Sequence, residues 1–187
     1  MTERDWTLIV QNYLSENIDD KEKLAVKAFE RIPYALEVMG YNEQGDHDLR
    51  HMGYQTDLVI TEAIDNDVWK PRVIIELKIR TVTTHDAITY SQKAFTHKNV
   101  HPYLRYGILL GKRDHYPLPG RLFRHGAHFD FMASWVDFNP TESELKGLVE
   151  IINLEVEASR ALEESIYSSR SPNREHYTFL HRPLNLY

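Results

Sequence analysis

Residues 72–80, Arg-Val-Ile-Ile-Glu-Leu-Lys-Ile-Arg, are the most strand-like run in the chain. Side chains alternate along a strand, so Val73, Ile75, Leu77 and Ile79 share one all-aliphatic face, which belongs to a core. Glu76 and Lys78 share the other face with Ile74 and Arg80. Charges set among aliphatics are costly unless they are paired or bound to a metal. Nineteen residues before Glu76, Asp57 lies in a second strand candidate, Gly-Tyr-Gln-Thr-Asp-Leu-Val-Ile-Thr-Glu. If the two strands pair antiparallel through the polar turn around Asp65 and Asp67, Asp57 comes near Glu76. Two carboxylates and a lysine then converge. That trio suits metal-assisted phosphodiester hydrolysis, with the carboxylates holding one or two Mg²⁺ ions (Mn²⁺ as substitute) and water completing the shell. Lys78 would orient or deprotonate the attacking water, or neutralise charge developing on the phosphate. The competing reading of the same three residues is a structural salt bridge at a sheet edge.

The flanking elements must carry this trio. Residues 19–39 read as a helix, with Leu24, Ala25, Ala28, Phe29 and Ile32 as its apolar stripe, broken at Pro33 and ended at Gly40. Residues 41–53 are polar and read as a loop. Thr83 or Thr84 caps a helix through about residue 99, with Ala87, Ile88, Ser91, Ala94 and Phe95 inward. Its other face carries a polar stripe, Asp86, Tyr90, Lys93 and His97. Arg-Tyr-Gly-Ile-Leu-Leu-Gly, residues 105–111, fits a buried strand, and residues 122–138 read as a strand or hairpin. Thr141 with Glu144 forms a capping box opening a long helix over about 141–166. An irregular, aromatic-bearing tail, 167–187, closes the chain. The whole reads as one α/β domain, 1–187, with its core over about 20–138 and a mixed β-sheet flanked by helices.

At Asp57 and at Glu76-Leu77-Lys78, the sequence resembles the PD-(D/E)XK nuclease superfamily, the restriction-endonuclease-like fold. The following helix, with Tyr90, Gln92 and Lys93, and the strand at 105–111 complete an α-β-β-α-β core order over roughly residues 20–111. Thr56 stands where that family often has proline. The resemblance implies a Mg²⁺-dependent endonuclease with Asp57, Glu76 and Lys78 as catalytic residues, acting on DNA ahead of RNA, in restriction, defence, repair or mobile-element processing. It also implies a further acid from the preceding helix. Glu22, three and seven residues before Ala25 and Phe29, is the candidate metal ligand, and Glu30 the runner-up. Gln92 and Lys93 would contact the scissile phosphate. A homodimer is expected, because cutting both strands of a duplex calls for two sites.

Composition sets the limits. There are no cysteines among 187 residues, which excludes disulfides, thiolate metal sites and cysteine nucleophiles and fits a reducing cytoplasm. No apolar run is long enough to span a membrane, and the first residues do not read as a signal peptide, so a soluble, cytoplasmic protein is expected. Net charge is −6, yet residues 91–129 hold seven bases against the single acid Asp114, together with five of the ten histidines. Within that segment Lys98, Arg121 and Arg124 are the expected phosphate contacts. The alternative is a basic face that pairs with acidic neighbours. Two other clusters, His125 with His128 and Asp130, and Asp46-His47-Asp48 with His51, contain metal-ligating types on segments read as strand or loop. Motifs for dinucleotide, nucleoside-triphosphate, α/β-hydrolase and zincin sites are absent. Two further readings remain: a catalytically silent module of the same fold that binds nucleic acid or a partner protein, and a structural subunit using helix 141–166 as its interface.

Overall fold

The computed structural model describes residues 1–65, 67–113, 118–168, 180–181 and 184–186. Most of the expected tail lies outside the described residues. The element order is α1 (Glu3–Asn17), β1 (Leu24–Ala28), β2 (Arg31–Tyr41), β3 (His47–Gln55), β4 (Leu58–Asp65), β5 (Val68–Ile79), α2 (Thr84–Val100), β6 (Arg105–Gly111), α3 (Gly120–His125), β7 (Phe131–Ser134) and α4 (Glu142–Tyr167). A five-stranded sheet runs β1-β4-β5-β6-β7, and β2 and β3 form a separate two-stranded arm. The β4 strand is antiparallel to both of its neighbours, β1 and β5, whereas β5, β6 and β7 run parallel. The sheet is therefore mixed, with helices on both faces.

Alternation along the strands sorts the core into two sides. Val73, Ile75 and Leu77 of β5 and Leu109 of β6 pack with Trp6, Val10 and Leu14 of α1 and Leu148, Ile152 and Val156 of α4. Val59, Ile74 and Tyr106 face the other way, against Ala94 of α2 and Ile32 of β2. Next to them, Ile108 and Leu110 meet Ala87 of α2 and Leu122 of α3. Gly111 lets α1 seat directly on β6, since a Cβ there would lie 2.3 Å from the Trp6 ring. Trp6 also meets Trp135 edge to face at 6.0 Å and donates its indole N–H to the Phe138 carbonyl. No helix among the described residues is long and apolar enough to cross a membrane.

Three expectations are corrected. Residues 19–39 are two strands, β1 and most of β2. Leu24 and Val26 are buried with Ala25 exposed between them, so period two governs what had matched a helical stripe. Phe29, at φ 61°, breaks the chain direction between the strands, and Pro33 lacks the N–H that a helix interior would use. The first helix is α1 instead, opened by a Thr2/Asp5 capping box. The expected loop at 41–53 is largely β3, paired with β2 through two register shifts. Its polarity reflects an arm that is solvated over much of its length, with Leu36, Val38, Met39 and Tyr41 exposed beside it. Residues 122–138 contribute the end of the short helix α3 and the four-residue strand β7 rather than a hairpin.

Candidate active site

The β4–β5 pairing brings the sequence-predicted acids together. Register pairs Leu58 with Ile75 and Val59 with Ile74, and the ladder stops there. The next residue on each strand is Asp57 and Glu76. With the ladder ended, the Leu77 N–H has no strand carbonyl to meet, and Asp57 Oδ2 accepts it at 2.8 Å. Thr56, the residue before Asp57, uses its backbone donor. It is fully buried, and its N–H and hydroxyl both donate to the Glu30 carbonyl, a use of the backbone donor that proline forbids.

Glu76 is 1% exposed. Its Oε1 accepts the Tyr106 hydroxyl at 2.6 Å and pairs with the Lys93 ammonium at 2.7 Å. Burial pushes its pKa up to about 7; Lys93 opposes the rise and neighbouring Asp57 adds to it. Asp57 is also raised, again first by burial, with the Leu77 N–H and Lys93 opposing and Glu3 reinforcing. Tyr106 is raised well above its ordinary value by burial and then by Glu76, so it remains a hydroxyl donor. Two carboxylates therefore share a desolvated position with less positive charge than they need.

Lys78 points to the same end of the sheet but does not pair with Glu76. Its ammonium lies 3.3 Å from Glu3 on α1, 4.0 Å from Asp86 on α2, and 5.5 Å from the Tyr90 ring centroid. Burial works to lower its pKa, but Tyr90 and Glu3 outweigh that and leave it raised, so the lysine is charged at neutral pH. The polar stripe of α2 is the wall of this site, not a solvated face. Asp86 and Tyr90 reach Lys78, and Lys93 reaches Glu76. His97 is wholly buried, and its Nε2–H donates to the Ile32 carbonyl at 3.1 Å; burial lowers its pKa to about 4. Ile88 and Phe95, expected inward, are about half exposed.

The helix acid is corrected. Glu22 sits in the turn before β1, exposed and on no helix. Because β1 pairs Leu24 with Glu62 and Ala28 with Leu58, Glu22 lies beyond the far end, with about 17 Å of strand separating Asp57 from the level of Leu24 alone. Glu30 lies at the right end, but it is the backbone oxygen that is engaged there. The acid that reaches the site is Glu3, which accepts from the Ile79 N–H and from Lys78, both at 3.4 Å. A Thr-x-x-Asp capping box ahead of Trp6, Val10 and Leu14 was the signal for α1. Tyr106, the only hydroxyl in β6 and followed by an apolar run to Gly111, was the signal for a buried acceptor.

The expected nucleic-acid contacts separate. Gln92 is exposed beside Lys93. Lys98 lies further along α2, paired with Asp130 at 2.7 Å and donating to the His128 carbonyl, and burial lowers its pKa. Arg105 binds the same Asp130 at 3.0 Å and Lys112 binds Asp137. Arg121 and Arg124, on α3, are exposed. Much of the basic segment is thus spent on acidic neighbours, which is the alternative reading of its charge.

Two carboxylates without soft donors fit a hard divalent cation, whose charge would offset the burial that raises both acids. No group of three or more His, Asp or Glu among the described residues is arranged to hold a metal, so water would have to supply the other positions. This also covers the two histidine-bearing clusters noted in the sequence. Neither a family model nor a curated protein matches the chain, so the functional reading rests on this geometry.

Proposed function

We propose that the chain is a Mg²⁺-dependent nuclease with a restriction-endonuclease-like core, hydrolysing phosphodiester bonds in DNA. The observation that carries the reading is the pair of half-buried Asp57 and buried Glu76 at the end of the β4–β5 ladder, both raised above their ordinary values, with a charged lysine two residues along the same strand face. The order of antiparallel strands, helix and parallel strand around them supports it. A divalent cation bound there would polarise the phosphate and lower the pKa of water. In the reaction, water oxygen bonds to phosphorus, the bridging P–O bond breaks, and the water's proton ends on the leaving oxygen or in solvent. Lys78, already protonated, neutralises charge on the phosphoryl oxygens; it does not act as the base. Glu3 and Asp86 hold its ammonium in place, and Tyr106 fixes the rotamer of Glu76.

The silent binding module is favoured by one specific observation: Lys93 already supplies a cation to Glu76. Incubation of the protein with plasmid and single-stranded DNA under Mg²⁺, Mn²⁺ or EDTA separates the two readings. Metal-dependent cleavage, lost in Asp57→Ala and Glu76→Ala with the fold retained, is expected. DNA binding without cleavage under either metal would favour the silent module.

A further inference from the structure

The site contains two lysines, and their partners differ in kind. Lys78 is tied to Glu3 and Asp86, acids that stand apart from the Asp57/Glu76 pair. Lys93 has one formally charged partner, Glu76, at 2.7 Å, with its side chain 16% exposed. It also acts on Asp57, and its remaining contacts, made from the same position, are neutral: the Gln55 carbonyl at 3.3 Å and the faces of Tyr90 and Tyr54, 5.3 and 5.8 Å from the ring centroids. A carbonyl and two aromatic faces thus form a neutral seat that the ammonium already touches while paired with Glu76. Gln55 itself is exposed, so that seat opens toward solvent. A lysine stem is long and flexible enough to leave Glu76 while keeping that seat.

We propose that Lys93 is a displaceable counter-ion. Its ammonium pairs with Glu76 in the metal-free protein and is driven off that carboxylate, keeping the Gln55 and tyrosine seat, when a divalent cation binds. The proposal rests on the metal-dependent reading of Asp57 and Glu76 and adds a competitor that sets their metal affinity. A cation on Glu76 would place like charges within a few ångströms of each other, and Lys93 is the group with a neutral alternative. Lys78 stays, held by acids of its own.

The test is a titration of the metal-free protein with Mn²⁺, followed by calorimetry and by the loss of the free-ion paramagnetic signal. Wild type, Lys93→Met and Lys93→Gln are compared, with Glu76→Gln as the site control. Removing the competing charge is expected to tighten Mn²⁺ binding by about tenfold or more. A lysine with a merely structural role would weaken binding or leave it unchanged when replaced. Lys93→Gln keeps a hydrogen-bond donor for Glu76 and carries the comparison if the methionine variant does not fold. Equal or weaker binding by the variants, with wild-type binding abolished in Glu76→Gln, overturns the counter-ion and leaves the nuclease reading standing. Absence of Mn²⁺ binding in every protein overturns both.

Discussion

Glu62 on β4 and Glu76 on β5 are both buried glutamates on adjacent strands of one sheet, 8% and 1% exposed. Their environments are opposite. Glu62 receives Arg72 at 2.6 Å and Arg160 at 2.5 Å, and those arginines reach on to Glu163, Asp20 and Glu157, with Lys70 closing the set on Glu163. Burial works to raise Glu62, but the arginines outweigh it and leave the acid below its ordinary value. Glu76 has one ammonium, a phenol and a second carboxylate, and burial wins. Burial alone therefore does not mark a working acid. In the first cluster two guanidiniums reach the buried acid and clamp α4 to the sheet; in the second a single ammonium reaches it.

The largest expected effect tests the clamp. Glu62→Ala takes from Arg72, almost fully buried, one of its two carboxylates, Glu163 remaining at 2.6 Å, and should cost about 2–3 kcal/mol in denaturant unfolding. A loss below about 1 kcal/mol would place this cluster with ordinary surface pairs and break the contrast.

Within the second cluster, Lys78→Ala should lower single-turnover cleavage by about 10²-fold or more. Its partner Glu3 is 42% exposed, so the melting temperature should hardly move. A lowered melt with cleavage intact would return Lys78 to the structural salt-bridge reading.

The two glutamates should also titrate in opposite senses. The folded protein keeps a proton on Glu76 between its ordinary value of 4.5 and about 7, where the unfolded chain has released it. Metal-free stability should therefore be fully present below about 4.5 and fall as pH rises toward 7. Glu62, depressed in the fold, contributes stability that is present above 4.5 and lost on acidification below it. Unfolding curves across pH should flatten in the upper window for Glu76→Gln and in the lower one for Glu62→Gln. Loss of the same window in both variants would mean that the acids are not distinct. Glu76→Gln should also leave the metal-free protein at least as stable as wild type, by relieving repulsion from Asp57.

The smallest effect concerns the basic segment. Exposed Arg121 and Arg124, replaced together by Gln, should each reduce the slope of log affinity against log salt by about 0.9 on duplex DNA if they contact phosphates. Lys98→Gln, whose ammonium already serves Asp130, should change stability and leave that slope alone. An equal slope change for Lys98 would show that its ion pair opens for DNA.

Local periodicity was enough to read much of this protein from its sequence. Alternation in residues 72–80 assigned the two faces of β5, the Thr83 and Thr141 caps opened α2 and α4, and the apolar run at 105–111 announced β6. Each of those signals is set within a few residues of chain. The stretch 19–39 failed because its apolar residues satisfy both periods, and the choice was made by what Leu24 and Val26 could pack against: α1, from outside that window. The partners of the charged groups were likewise decided at a distance. The end of the β4–β5 ladder set Asp57 against Glu76, the seating of Trp6 on β6 brought Glu3 rather than Glu22 to Lys78, and the lie of α2 across the sheet put Lys93 on Glu76. Side-chain type and strand face are properties of neighbouring residues, but which charges meet, and how dry the meeting place is, depends on contacts between residues far apart in the chain.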